Sequence, residues 1–97
     1  MYLEIVSPEK VLFTSEVDSV VVPGIDGEFQ MLNNHAAIVS LLAAGTIKVH
    51  THTQSHLALN ELHASIIPHN DDDKVLTLKI NSGTLEMKNN KAIILVE

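Results

Sequence analysis

Turn-forming pairs cut most of this chain into short apolar runs, and that spacing constrains the fold more than any other feature. The pairs are Ser7-Pro8, Pro23-Gly24, Asp26-Gly27, Asn33-Asn34, Ala44-Gly45, Ser82-Gly83 and Asn89-Asn90. Each supplies a residue that tolerates positive φ or fixes φ at about −65°. Between them lie runs too short for stable helices and rich in Val, Ile and Leu. Leu3 and Ile5 alternate with Glu4, as on a strand with one face buried. The same alternation places Val11 and Phe13 on one face and Leu12 and Thr14 on the other. Val17 with Val20 to Val22, Phe29 to Leu32, Ile47 to Val49, Val75 to Ile80, Leu85 to Met87 and Ala92 to Val96 complete the set. Many short strands separated by turns predict an antiparallel sandwich or barrel.

Two stretches are less regular. Ala36 to Ala44 is an apolar run that suits a buried strand or a helical turn; its length favours a strand ending at the Gly45 turn. His50 to Asp73 is polar and His-rich and ends in Asp71-Asp72-Asp73. It reads as a long hairpin, partly loop, with a solvated acidic tip. With no linker and no low-complexity tract, residues 1–97 read as one domain, with nothing after Val96 to form a second.

Composition narrows the function. The six basic residues are all lysines, and the formal net charge is −6. Nucleic-acid binders need a basic stripe to displace counterions from phosphate, so that partner is excluded. The chain has no cysteine, which removes disulfides and Cys-based zinc sites. No apolar run approaches the roughly 18 residues of a membrane span. The segment Met1 to Val6 has neither the basic start nor the apolar core of a signal peptide. A role at a membrane would therefore pass through another protein.

The segment Pro23-Gly24-Ile25-Asp26-Gly27-Glu28-Phe29-Gln30-Met31-Leu32-Asn33-Asn34-His35-Ala36 resembles the G-x-x-G-E…H-A signature of epsilon subunits of bacterial F-type ATP synthases. Ala44-Gly45-Thr46-Ile47 matches that family's P-G-x-[IL] step, with Ala44 for the usual Pro. Leu3 to Phe13 is similar to its opening strands and the V-S-P-E-type turn between them. Ser82-Gly83-Thr84-Leu85-Glu86-Met87 through Val96 is similar to its closing G-G-x-L-E-V…V-x-V-L segment. The chain departs from the pattern at Ala37, where Pro is usual, in the long polar stretch from His50 to Asp73, and in lacking the C-terminal helical hairpin.

The resemblance implies a flattened antiparallel β-sandwich of about ten short strands. It implies a non-catalytic rotor subunit in the central stalk, bridging the gamma subunit and the membrane c-ring and coupling ion transport to ATP synthesis. It places the chain peripherally on the cytoplasmic face of the bacterial inner membrane; no cofactor is expected, and, the sequence carrying no helical hairpin, neither ATP binding nor a helical inhibitory arm is expected. It also implies a c-ring-facing loop that carries Glu28, Phe29 and His35, and a gamma-facing patch drawing on Leu41 or Leu42. Adjacent strand residues point to opposite faces, so one of those leucines enters the core and the other is left for a partner.

Competing chemistries are weaker. Gly24-x-x-Gly27 is followed by strand-like residues and no nearby lysine, so it is a turn rather than a phosphate loop. His50 and His52 would share a strand face, yet His50, His52, His56, His63 and His69 fix no four-ligand zinc site by spacing. Asp71-Asp72-Asp73 lacks the alternating donors and Gly of a calcium loop. The alternative function, a small β-sandwich ligand-binding module, would want aromatic platforms. The chain offers only Tyr2, Phe13 and Phe29.

Overall fold

The computed structural model describes residues 1–51, 66–68 and 75–97. Ten strands are present among them: β1 (Tyr2–Val6), β2 (Val11–Glu16), β3 (Ser19–Gly24), β4 (Gly27–Leu32), β5 (Ile38–Leu42), β6 (Gly45–His50), β7 (Ile66–Pro68), β8 (Val75–Ile80), β9 (Gly83–Lys88) and β10 (Lys91–Val96). No helix occurs in the described residues. The run from Ala36 to Ala44 is therefore strand β5 with short flanks, as its length predicts. The hairpin expected over His50 to Asp73 lies mostly outside the described residues.

The strands form one curled sheet in the order β2-β1-β10-β9-β5-β3-β6-β8-β7, with β4 paired to β3. The curl divides it into two layers. One layer is β2-β1-β10-β9-β5, and the other holds β4, β3, β6, β8 and β7. The only β5–β3 register pair is Gly24 with Leu42. Inward side chains of both layers make one core. Leu3, Ile5, Leu85, Met87 and Ile94 come from the first layer, and Val20, Val22, Met31, Ile47 and Leu76 from the second, each at most 1% exposed. The near absence of aromatics is met by interdigitated aliphatics, which suit a pleated surface.

Two turns show how local chemistry sets the layers. Asn89 and Asn90 join β9 to β10 with φ of 54° and 61°, the mirror-image turn that matches strand twist and that asparagine tolerates. At the β3–β4 hairpin, Gly27 has φ of 130°, a left-handed value that favours glycine. Gly24 is required for a different reason. A Cβ there would lie 2.7 Å from the Gly27 carbonyl oxygen and 2.8 Å from Cε1 of Phe29. The missing side chain lets the Phe29 ring close over the end of β3.

The structure departs from the sequence reading in two places. Val11 is 55% exposed, whereas Leu12 and Phe13 are both buried. Strict alternation fails because Ile5 pairs with Phe13 and Val6 with Val11, skipping Leu12. This β-bulge lets consecutive side chains enter the core. In addition, β1 and β10 run parallel, with Tyr2 opposite Lys91 and Val6 opposite Leu95. The other strand pairs among the described residues are antiparallel.

Candidate functional site: an exposed apolar face and its acidic turn

The adjacent leucines on β5 separate as strand geometry demands. Leu42 is 3% exposed and joins the core, while Leu41 is 60% exposed. Leu42 is thus withdrawn as a gamma-facing residue, because its side chain is spent on the sandwich interior. Leu41 is not isolated. Val39, two residues earlier on the same face, is 75% exposed, and Ile25 and Leu95 are 59% and 52% exposed.

Register shows how these side chains line up. Leu41 pairs with Thr84, Thr84 with Leu95, Leu95 with Val6, and Val6 with Val11. Cross-strand partners lie on the same sheet face. The five residues therefore form one row across the outer surface of β5, β9, β10, β1 and β2. The next row reads Val39, Glu86, Ile93, Glu4, Thr14. Beyond it lie Lys88, Lys91, Tyr2 and Glu16. The face grades from apolar at the Leu41–Leu95 row to charged at the β9–β10 turn. Exposed large apolar residues gathered on one surface are a mark of partner contact.

The Gly24–Glu28 turn abuts the apolar end of this face. The Ile25 amide donates to the Leu41 carbonyl at 3.1 Å, and the Ala43 amide donates to the Pro23 carbonyl at 2.8 Å. A depression open to solvent is lined there by Ile25, Leu41, Leu42, Thr84 and Leu95, among others. Asp26 and Glu28 form an exposed acidic rim beside it. Glu28 lies 3.9 Å from Nζ of Lys48, with both side chains about half exposed. Such a pair contributes little to stability, which leaves the carboxylate free for another cation.

Glu28, Phe29 and His35 do not share a loop. Glu28 and Phe29 belong to strand β4, and the Phe29 ring packs against the core. His35 follows the far end of that strand. The five residues from Glu28 to Leu32 span about 13 Å of extended chain, so Glu28 and His35 lie at opposite ends of β4. The signature is compact in sequence, but its middle is a strand.

The His35 loop is held from another part of the chain. The His35 amide donates to the Leu32 carbonyl at 3.1 Å, and Nδ1 lies 2.8 Å from the Ala36 carbonyl oxygen, so that nitrogen carries the proton. Asn90 clips the loop from the β9–β10 turn. Its Oδ1 accepts from the Asn34 amide at 2.7 Å and its Nδ2 donates to Asn33 Oδ1 at 3.1 Å. Sequence reasoning missed this contact, because it joins residues 56 and 57 positions apart.

Of the histidines raised as metal ligands, His50 alone is described. Its buried Nδ1 has no hydrogen-bond partner among the described residues. His52, His56, His63, His69 and the Asp71–Asp73 run lie outside the described residues.

With this geometry in view, comparison with known proteins decides the family. The model of the "ATP synthase, Delta/Epsilon chain, beta-sandwich domain" matches residues 1–70. The chain belongs to this family. The ATP synthase epsilon chain of Chlorobaculum tepidum is 33% identical over 95 residues, covering 98% of this chain and 86% of that one. The epsilon chain of Campylobacter curvus is 42% identical over 80 residues, covering 80% of this chain and 59% of that relative. The chain thus spans somewhat over half the length of the Campylobacter relative. The family model ends at residue 70, but the Chlorobaculum match extends over nearly the whole chain.

Solved structures share the fold. A chain of the Tetrahymena thermophila mitochondrial ATP synthase central stalk/c-ring superposes with a TM-score of 0.68 at 11% identity, covering 98% of this chain and 61% of that one. A chain of the Euglena gracilis mitochondrial ATP synthase OSCP/F1/c-ring assembly gives 0.72 at 17% identity, covering 97% and 48%. The fold is retained even where little sequence is.

Proposed function

We propose that this chain is a rotor part of an F-type ATP synthase, joining the gamma subunit to the membrane c-ring so that the stalk turns as one body. The exposed Leu41–Leu95 row beside the acidic Ile25–Glu28 turn carries this reading. Family membership supplies the context, and the fold recurs in assemblies that contain a central stalk and a c-ring. The role is mechanical, with catalysis on other subunits. The chain acts peripherally, at the cytoplasmic face of a bacterial inner membrane.

The apolar face suits gamma, because a shaft that must not slip needs a contact built on buried surface. The turn at Glu28 suits the c-ring. An exposed carboxylate there meets basic groups on the ring's polar loops and sets register more than affinity. Glu28, Phe29 and His35 remain the proposed ring-facing residues, with Glu28 and His35 at opposite ends of β4.

Co-purification tests the assignment. A tagged chain expressed in its own host should bring down gamma and the c-ring together. Recovery of the tagged chain free of both, under conditions that leave the synthase intact, would refute it.

A further inference from the structure

The α-amino group of Met1 is folded into the sandwich, and the stalk reading makes no use of it. Met1 extends the β1–β2 ladder: the Val17 amide donates to its carbonyl at 2.8 Å, and its own ammonium donates to the Val17 carbonyl at 3.2 Å. The Met1 side chain is 5% exposed and joins the core. The ammonium also donates to Asn33 Oδ1 at 2.5 Å and lies 3.4 Å from the Glu16 carboxylate. An ammonium carries three N–H donors, so donors and oxygens match one for one. Glu16 is largely exposed and contributes least; the Val17 and Asn33 bonds lie inside. Asn33 Oδ1 accepts a second bond from Asn90 Nδ2 at 3.1 Å, and the Asn90 carbonyl accepts from the Tyr2 amide at 3.1 Å. The ammonium thus fastens the start of β1 to the end of β2, to the residue after β4 and, through Asn33, to the clip that holds the His35 loop.

We propose that this cradle is built for a free ammonium and makes Met1 a processing site: the chain reaches its final packing only after a formyl group has been hydrolysed from the Met1 nitrogen. Water supplies the second oxygen of the departing formate, the formamide C–N bond breaks, and the freed nitrogen takes up the protons that make it an ammonium. A formylated nitrogen keeps one N–H and no charge. Two of the three oxygens then lose their donor, and the loss is felt at the buried ones. The formyl carbonyl also brings a further acceptor into a site already made of acceptors. Acetylation of the same nitrogen would act alike. Burial sets the timing: the hydrolase must reach the nitrogen before Val17 and Asn33 close over it, while the nascent chain is still open.

The test makes the whole chain by bacterial cell-free synthesis with and without deformylase activity, each form checked by mass spectrometry. The formylated chain should melt about 5–25 °C lower than the free one. Its Tyr2 and Asn34 amides should exchange roughly tenfold faster. Asn33→Ala should lower the midpoint of the free form and narrow the gap between the two forms, because formylation and the substitution remove the same bond. Equal midpoints and equal exchange in the two wild-type forms would overturn the proposal. So would a gap of the same size in Asn33→Ala, since the loss would then not pass through the cradle. The chain isolated from its own host should carry a free amine on Met1; a formyl group retained there, or residues attached ahead of it, would also overturn the proposal.

Discussion

Replacing Leu41 or Leu42 by glutamate separates the docking surface from the core at adjacent positions. Leu42 is 3% exposed, and truncating such a leucine costs about 2–5 kcal/mol. In a domain of this size each kcal/mol moves the melting midpoint by about 4–8 °C. Leu42→Ala should therefore melt about 10–40 °C lower. Leu42→Glu adds the desolvation of a carboxylate in the aliphatic core, enough to unfold most of a marginally stable chain. Leu41 is 60% exposed, and Leu41→Glu should shift stability by no more than about 0.5 kcal/mol. Its effect belongs to binding. Fully burying a leucine is worth about 1.5–3 kcal/mol, and three fifths of that remains to be gained on docking, about 1–2 kcal/mol. Leu41→Ala should thus weaken gamma binding roughly five- to thirtyfold, and Leu41→Glu more. Thermal melts followed by circular dichroism, paired with calorimetric titration against gamma, read the two effects separately. A Leu41→Glu chain that melts as low as Leu42→Ala, or that binds gamma as tightly as wild type, would refute the reasoning.

Three other outcomes follow from the geometry. Glu28→Gln should change stability by less than about 0.5 kcal/mol, because its pair with Lys48 is half exposed. It should still weaken recovery of the c-ring, and unchanged recovery counts against the ring-facing turn. Gly24→Ala should destabilise by about 1–3 kcal/mol, since its Cβ would meet Gly27 and Phe29 well inside contact distance; a chemical denaturation midpoint equal to wild type would contradict the close approach. Asn90→Ala should cost about 1 kcal/mol and speed hydrogen exchange at the Asn34 amide, which donates to Asn90 Oδ1. Unaltered exchange there would show that the clip does not order the His35 loop.

Strand positions were readable because their cause is local. Alternation at Leu3 and Ile5 and the turns at Asp26-Gly27 and Asn89-Asn90 depend on neighbouring residues alone. The division of labour between Leu41 and Leu42 was legible in kind, since a strand must send them to opposite faces. Which of the two enters the core was not, because that depends on the layer β5 joins. The bulge at Leu12 was hidden, because an extra residue leaves no mark in an apolar run. The parallel β1–β10 pair was hidden as well, because turn chemistry reports only on strands joined by a tight turn. For the same reason the Leu41-to-Val11 row could not be read along the chain. Its members come from five strands, and only register assembles them. The Glu28–His35 separation was available, since Phe29 to Leu32 already read as a strand.

The parallel seating of β10 against β1 also governs the order in which this chain matures. As synthesis proceeds, β1 can meet β2 early, but its other edge waits until β10 has left the ribosome. Until then that edge and the inner faces of Leu3 and Ile5 lack their final cover. Contacts between such distant residues form late and slowly. The nascent chain should therefore be open to strand mispairing and proteolysis until β10 arrives.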